Sequence, residues 1–355
     1  MKKFLPLSLA VILLLALAIS GCGGSNSSRV DTSTPASIYT AGYINDGHER
    51  ACFWTNNSTT PTIIGAADVN SRAYSICVSG GNIYTAGYFV DGSNNYRACY
   101  WTNTSTTPTI AGAAGSNSYA NSIYVSGDNI YITGYCNDGS KNRACFWTNT
   151  STTPTIVGAA GSNSYANSIY VSGGNIYTAG YYYDGSNTRA CFWTNSSQSP
   201  TTVGAVGTNS QVCSIYVSEG NIYNAGFIND GSKYRACFWT NTSTNPTIIG
   251  ADGSISYANS ICVSGGNIYT AGLINDGHDR ACFWTNTGTT PTIVGAAGTD
   301  SRINSIFVFK GNIYSAGYMY DGSHTRACFW TNTSTNPTFI GLTGWNSYAL
   351  SICAE

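Results

Sequence analysis

The chain has little charge, few histidines and almost no methionine. Only 9% of its 355 residues are Asp, Glu, Lys or Arg, the formal net charge is −1, and His and Met number 3 and 2. No basic stripe is present to neutralise a phosphate backbone, so nucleic acid is not an expected partner. There is no Cys-x-x-Cys string and no Cys/His cluster, so the sequence implies neither a metal nor a cofactor. After the first 22 residues no stretch carries the apolar period of a helix. The polar surface must then come from Asn, Ser, Thr and Tyr.

What fills the chain is a repeat. The string Arg-Ala-Cys-(Phe/Tyr)-Trp-Thr-Asn starts at Arg50, Arg97, Arg143, Arg189, Arg235, Arg280 and Arg326, in steps of 47, 46, 46, 46, 45 and 46 residues. A fixed period of this size marks units that bury apolar surface against their neighbours. Asn167 to Gly207 shows one unit. Ser168–Ser172 is a β-branched and aromatic run, followed by the turn signal Gly173-Gly174. A second run, Asn175–Tyr181, ends at Asp184-Gly185. Arg189–Thr194 and Thr201–Ala205 complete the unit, separated by Ser199-Pro200. Four short antiparallel strands in 40–50 residues is the pattern of a propeller blade. The ends of the chain fit a ring. It enters the repeat at Ser37, in the phase of a second strand, and leaves after Ser351-Ile352-Cys353, in the phase of a first strand. The expected fold is an all-β, seven-bladed β-propeller of four-stranded antiparallel blades, closed by pairing of the N- and C-terminal strands. A β-solenoid is the alternative.

Lys2 and Lys3 precede an apolar run, Phe4 to Ile19, too short and too small-ended for a membrane span. Ile19-Ser20-Gly21-Cys22 resembles a bacterial lipobox. That resemblance implies a signal peptide over 1–21, a lipidated Cys22, a linker over 22–36 and the propeller over 37–355, on a protein anchored in the bacterial cell envelope. The Gly/Ser-rich stretch after Cys22 suits a tether.

Of the 13 cysteines, seven recur as Cys52, Cys99, Cys145, Cys191, Cys237, Cys282 and Cys328. Equivalent strands of packed sheets lie about 10 Å apart, whereas a disulfide needs Cα atoms within about 7 Å. These seven are expected to be small buried hydrophobes, and so are Cys77, Cys262 and Cys353. Cys136 and Cys145 lie across one hairpin, where a bridge is conceivable.

The strings Arg-Ala-Cys-Phe-Trp and Ser-Tyr-Ala-Asn-Ser-Ile, with a Gly-containing turn after them, resemble the HAF-type extracellular repeats over all seven units. Arg here replaces the His of that family, and Thr-Ile-(Ile/Val)-Gly replaces its Asp-Leu-Gly. The resemblance implies an exported propeller-like protein and no particular activity.

Each unit carries an Asp-Gly turn, at Asp46, Asp91, Asp138, Asp184, Asp230, Asp276 and Asp321, four to six residues before the repeat arginine. Repetition in every unit favours a folding role over a single active site. His48, His278 and His324 fall in these turns. No unrepeated Ser/His/Asp, Cys/His or paired-carboxylate constellation points to catalysis, so a monomeric binding scaffold is expected rather than an enzyme. A glycan or an envelope protein is the expected partner, besides membrane lipid through Cys22. A glycan hydrolase or lyase on the same scaffold and a passive envelope spacer are the alternatives.

The Asp-Gly hairpins and inter-blade links should emerge on one face of the disc and vary between units. The other face should be nearly uniform. Trp345 in the last link is the only tryptophan outside the repeat position. The seam between blades 7 and 1 therefore supplies the candidate ligand-binding set: Trp345, Tyr348, His48, His324, Asp46, Asp321, Arg50 and Arg326.

Overall fold

A computed structural model of the protein describes residues 36–355. Cys22 and the signal and linker segments before residue 36 lie outside them. The described chain forms seven four-stranded antiparallel sheets. Six of these sheets are continuous in sequence. The first is composite, because the C-terminal strand Asn346–Ala354 pairs with Ile38–Asn45. The seven-bladed propeller and its closure by the two ends of the chain are thus as expected.

Blade 4 has its strands at Ser164–Ser172, Asn175–Tyr183, Thr188–Thr194 and Thr201–Thr202. The inner strand starts four residues earlier than the apolar run suggests. A β-bulge between Ala166 and Ser168 leaves Asn167 unpaired and breaks the alternation that sequence reading follows. The outer strand is shorter than expected because Val203 and Gly204 both donate to the carbonyl of Ala190, which ends the ladder.

Opposite the bulge every second strand carries a glycine. A Cβ on Gly180 would sit 1.9 Å from the carbonyl oxygen of Tyr165, and Gly87 would meet Arg72 in the same way at 1.8 Å. The glycine at this point of every repeat is therefore a consequence of the bulge.

The residue after the bulge is always serine, and its Oγ crosses the seam. Ser75 accepts the N–H of Ile123, Ser122 that of Ile169, Ser168 that of Ile215 and Ser214 that of Ile261. Ser260 and Ser305 serve Ile306 and Ile352, and Ser351 serves Ile76, which completes the circle at 2.8–3.3 Å throughout. Four of the bulged residues are asparagines that add a second link. Asn121, Asn167, Asn259 and Asn304 donate to carbonyls of the following blade at 2.7–2.9 Å.

The third strand is buried on both faces because it lies between two neighbours. Ala51 and Phe53 of blade 1 pack in one cluster with Ile76, Cys99 and Trp101 of blade 2. Alternation thus sends Ala and Phe toward the next blade and Cys and Trp toward the previous one. The seven repeat cysteines are free and buried, as expected, and burial pushes their thiols well up. Cys136 and Cys145 are also unbridged. Cys77, Cys262 and Cys353 are buried as well, as expected.

Candidate functional site

The two ends of the blades form two faces with different chemistry. At the loop face, the Asn that follows Trp-Thr adopts a left-handed φ of 54–56° in every blade. In blade 2 the Oδ1 of Asn103 accepts the N–H of Ile83, and its Nδ2 reaches Asn82. This latch ties the third-strand loop to the first turn. Among the described Asp, Glu, Lys, Arg and His residues only Asp128, Glu219, Lys310 and Glu355 lie at this end.

The hairpins and links share the other face, where they are hydrogen-bonded to each other. The link residue Asn70 accepts the N–H of Glu49 through Oδ1, and Asn117, Asn163, Asn209, Asp300 and Asn346 do the same for their blades. The repeat arginine forms a staple beside them. Arg189 donates to the Gly204 carbonyl through Nε and Nη2, and to Asp184 through Nη1 at 3.2 Å. Backbone N–H groups of Asn187 and Ser186, with Arg189, hold the Asp184 carboxyl below the usual carboxylate range. The same arrangement around Lys141 and Ser140 brings Asp138 down to about 2.

An aromatic belt runs around the inner edge of this face. Tyr318 meets Tyr348 at 5.2 Å, Tyr348 stacks on Tyr43 at 4.8 Å, and the Arg72 guanidinium lies 4.5 Å from the Tyr43 ring. Tyr88, Tyr119, Tyr135, Tyr165 and Tyr181 continue it at 4.8–5.2 Å. Phe227 and Tyr257 meet further round. Burial pushes the phenols of Tyr43, Tyr88, Tyr135 and Tyr181 up, so they stay neutral at physiological pH.

At five of the seven seams the variable belt positions form matched pairs. The first residue of a third strand meets the second residue of the next inner strand. Glu49 forms a two-pronged pair with Arg72, and Asp279 pairs with Arg302 at 3.3 Å. Tyr96 stacks on Tyr119, Asn142 donates to the Tyr165 hydroxyl, and Tyr234 packs on Tyr257. Divergence here is absorbed by contacts between blades. Sequence reading missed these pairs because the partners in each pair lie 23 residues apart.

The candidate residues at the seam of blades 7 and 1 divide into three groups. Asp46 and Arg50 form one staple at 3.1 Å, with Arg50 also reaching the Gly65 carbonyl. Arg326 donates to the Gly341 carbonyl, lies 3.8 Å from Asp321 and stacks at 4.3 Å on the Phe339 ring. Apart from the Arg50 Nε, the nitrogens and carboxylates of these four are engaged by the fold. Tyr348 is half-buried in the belt. His48 is exposed and His324 half-buried, and no hydrogen bond or ion pair joins the two. Trp345, 41% exposed, is the free aromatic surface of the set.

Trp345 has company. The exposed large hydrophobic residues among those described are Tyr96, Tyr183, Val206, Ile255, Tyr320, Leu342 and Trp345. Every one lies at a hairpin, a strand end beside a hairpin, or a link. Of these, only Trp345 was legible as a candidate beforehand, since nothing local distinguishes an exposed Tyr from a buried one in a Tyr-rich chain.

No protein-family model matches the chain, and no curated protein matches it, so the likeness to HAF-type repeats rests on its motifs alone. Among solved structures, the chain is similar to a puromycin-hydrolyzing peptidase of Mycobacterium tuberculosis, with 9% identity and a TM-score of 0.58 over 87% of this chain and 52% of that one. It is also similar to a puromycin hydrolase S511A mutant complexed with PGG, with 8% identity and a TM-score of 0.62 over 92% and 53%. The chain spans about half the length of these proteins. At such identity the likeness is one of propeller fold.

Proposed function

We propose that the protein is a lipid-anchored binding module of the bacterial envelope, presenting its hairpin-and-link face to an uncharged, hydroxyl-rich ligand such as a glycan. One observation carries the reading: the exposed large hydrophobic residues cluster on the face whose carboxylates are largely paired with its own arginines. Aromatic and aliphatic patches beside amides and hydroxyls suit stacking on a sugar ring, and internal pairing leaves little free charge to attract a polyelectrolyte. Cys22 supplies the anchor, and no catalytic role is assigned to any residue. The peptidase titles attached to the structural neighbours describe those proteins, and none of their residues is carried over.

The test uses the full chain in mild detergent on an array of envelope and plant-type glycans. Trp345→Ala should weaken binding of a positive glycan by about tenfold or more, the effect of removing a central aromatic contact. Thr152→Ala, an exposed loop-face residue outside any latch, should leave it unchanged. The reverse pattern would put the ligand on the other face. A parallel Cys22→Ser variant should lose lipid labelling and cease to partition with membranes. If it stays labelled and membrane-bound, the anchor lies elsewhere.

A further inference from the structure

We infer that the outer seams between blades 2 and 3 and between blades 3 and 4 are two adjacent, equivalent saccharide subsites, so that the preferred ligand is an oligosaccharide long enough to fill both. The inference rests on the glycan reading above and deepens it. Cavities open at three consecutive seams: about 350 Å³ between blades 1 and 2, 560 Å³ between 2 and 3, and 700 Å³ between 3 and 4. All fall in the range of ligand-sized clefts.

The three cavities are built from the same repeat positions. At the seam of blades 2 and 3 the frame is Ser118, the Asp138-Gly139 turn, Trp147 and Pro154. At the next seam it is Ser164, Asp184-Gly185, Trp193 and Pro200. Since the frame recurs with the repeat, successive grooves present the same orientation to a ligand lying along the rim.

What differs is the lining. The first groove is apolar, with Phe89 and Val90 at the end of its second strand. The second has Cys136 and Asn137 there, and the third Tyr182 and Tyr183. The hairpin of the preceding blade adds Asn95 to the second groove and Lys141 to the third. The tryptophans of the frame are buried, so the apolar surface comes from the proline and, in the third groove, from Tyr183; beside amides, hydroxyls and one ammonium it is complementary to a sugar ring, which offers C–H faces and a rim of hydroxyls. The carboxylates of Asp138 and Asp184 are already held by Arg143 and Arg189 at 3.3 and 3.2 Å. Lys141 leaves the third groove able to take a neutral or an acidic sugar. Two weak subsites in tandem favour an oligomer over its monomer, because the second contact forms at high effective concentration.

The experiment fills the grooves without removing any hydrogen bond. Ala113 and Ala159 are exposed link residues that line the second and third grooves, so Ala113→Trp and Ala159→Trp should block them. Ala296→Trp places the same bulk at the seam of blades 6 and 7. Calorimetry on the full chain in detergent would use cellohexaose, chitohexaose and hexagalacturonate, each beside its monomer, with melting curves to confirm folding. For the hexasaccharide that binds, each groove block should lower affinity about tenfold and the pair together about a hundredfold or more. Its monomer should bind far more weakly, and Ala296→Trp should have no effect. A hexasaccharide that responds to Trp345→Ala but to neither groove block overturns the subsites and leaves the face assignment standing. Equal damage from Ala296→Trp overturns the restriction to these two seams. If no hexasaccharide binds, the glycan reading itself fails and the subsites fail with it.

Discussion

The loop face and the hairpin face are two ends of the same strands, yet they are held in different ways. The loop face uses one device in every blade, an asparagine in the left-handed region that latches the loop to the first turn. It carries almost no charge and varies little. The hairpin face combines Asp–Arg staples, link asparagines and seam pairs of changing chemistry, and it holds most of the titratable groups. Where one solution serves all blades, copying preserves it. Where a seam has its own matched pair, as five of the seven do, the units are free to diverge.

The largest effect should come from removing what both faces depend on. Truncation after Trp345 deletes the strand Asn346–Ala354, leaving Ile38–Asn45 with an unpaired edge and Ile76 without its Ser351 acceptor. A melting temperature lower by about 10 °C or more, or outright aggregation, is expected by calorimetry. A truncated chain that melts like the full one would mean that ring closure contributes nothing to either face.

Next in size is Gly180→Ala, at the point where the bulge brings two backbones together. The new methyl group would lie 1.9 Å from the Tyr165 carbonyl, so blade 4 must shift. A loss of about 2–4 kcal/mol in urea unfolding is expected, the scale of overpacking against rigid backbone. An unchanged midpoint would show that the bulge can be rebuilt cheaply.

The smallest effect separates the faces by pH. Asp91, Asp138, Asp184, Asp230 and Asp321 are depressed by backbone N–H groups of their own turns and by their arginines. A depressed carboxylate adds stability that is fully present above its unfolded value of about 4 and is lost as pH falls through the folded value. For Asp138 that window closes near pH 2. Hydrogen exchange between about pH 4 and 2 should therefore loosen the hairpin amides first, while the loop-face latches, which contain no titrating group, hold. Asp138→Asn should abolish the change in blade 3 alone. Equal loosening at both faces would mean that the staples do not hold the hairpins.

Much of the fold was legible because a repeat averages away local ambiguity. The complementary phases of Ser37 and Cys353 placed the closure correctly. The bulge was not legible: Asn167 interrupts a period of two, and what its side chain bonds is the Val212 carbonyl, 45 residues away. The two-residue outer strand was hidden too, since it ends on a shared carbonyl rather than on a turn residue. The contrast between a variable end and a uniform end was readable from which loops vary. The partition of the candidate site residues was not, because the engagement of Arg50 and Arg326 depends on carbonyls 15 residues further on.

The seam pairs bear on how seven nearly interchangeable units find their order. A ring of identical wedges cannot tell its true neighbour from the same wedge on a second chain, so exchange between molecules is a hazard for such proteins. Glu49 against Arg72 and Asp279 against Arg302 mark the two seams that flank blades 1 and 7, while stacked or hydrogen-bonded tyrosines mark others. A blade docked one place out of turn would set Glu49 or Asp279 against a tyrosine, leaving an ion without its partner. The pairs work as address labels, and the two charged ones stand one seam to either side of the junction between blades 7 and 1.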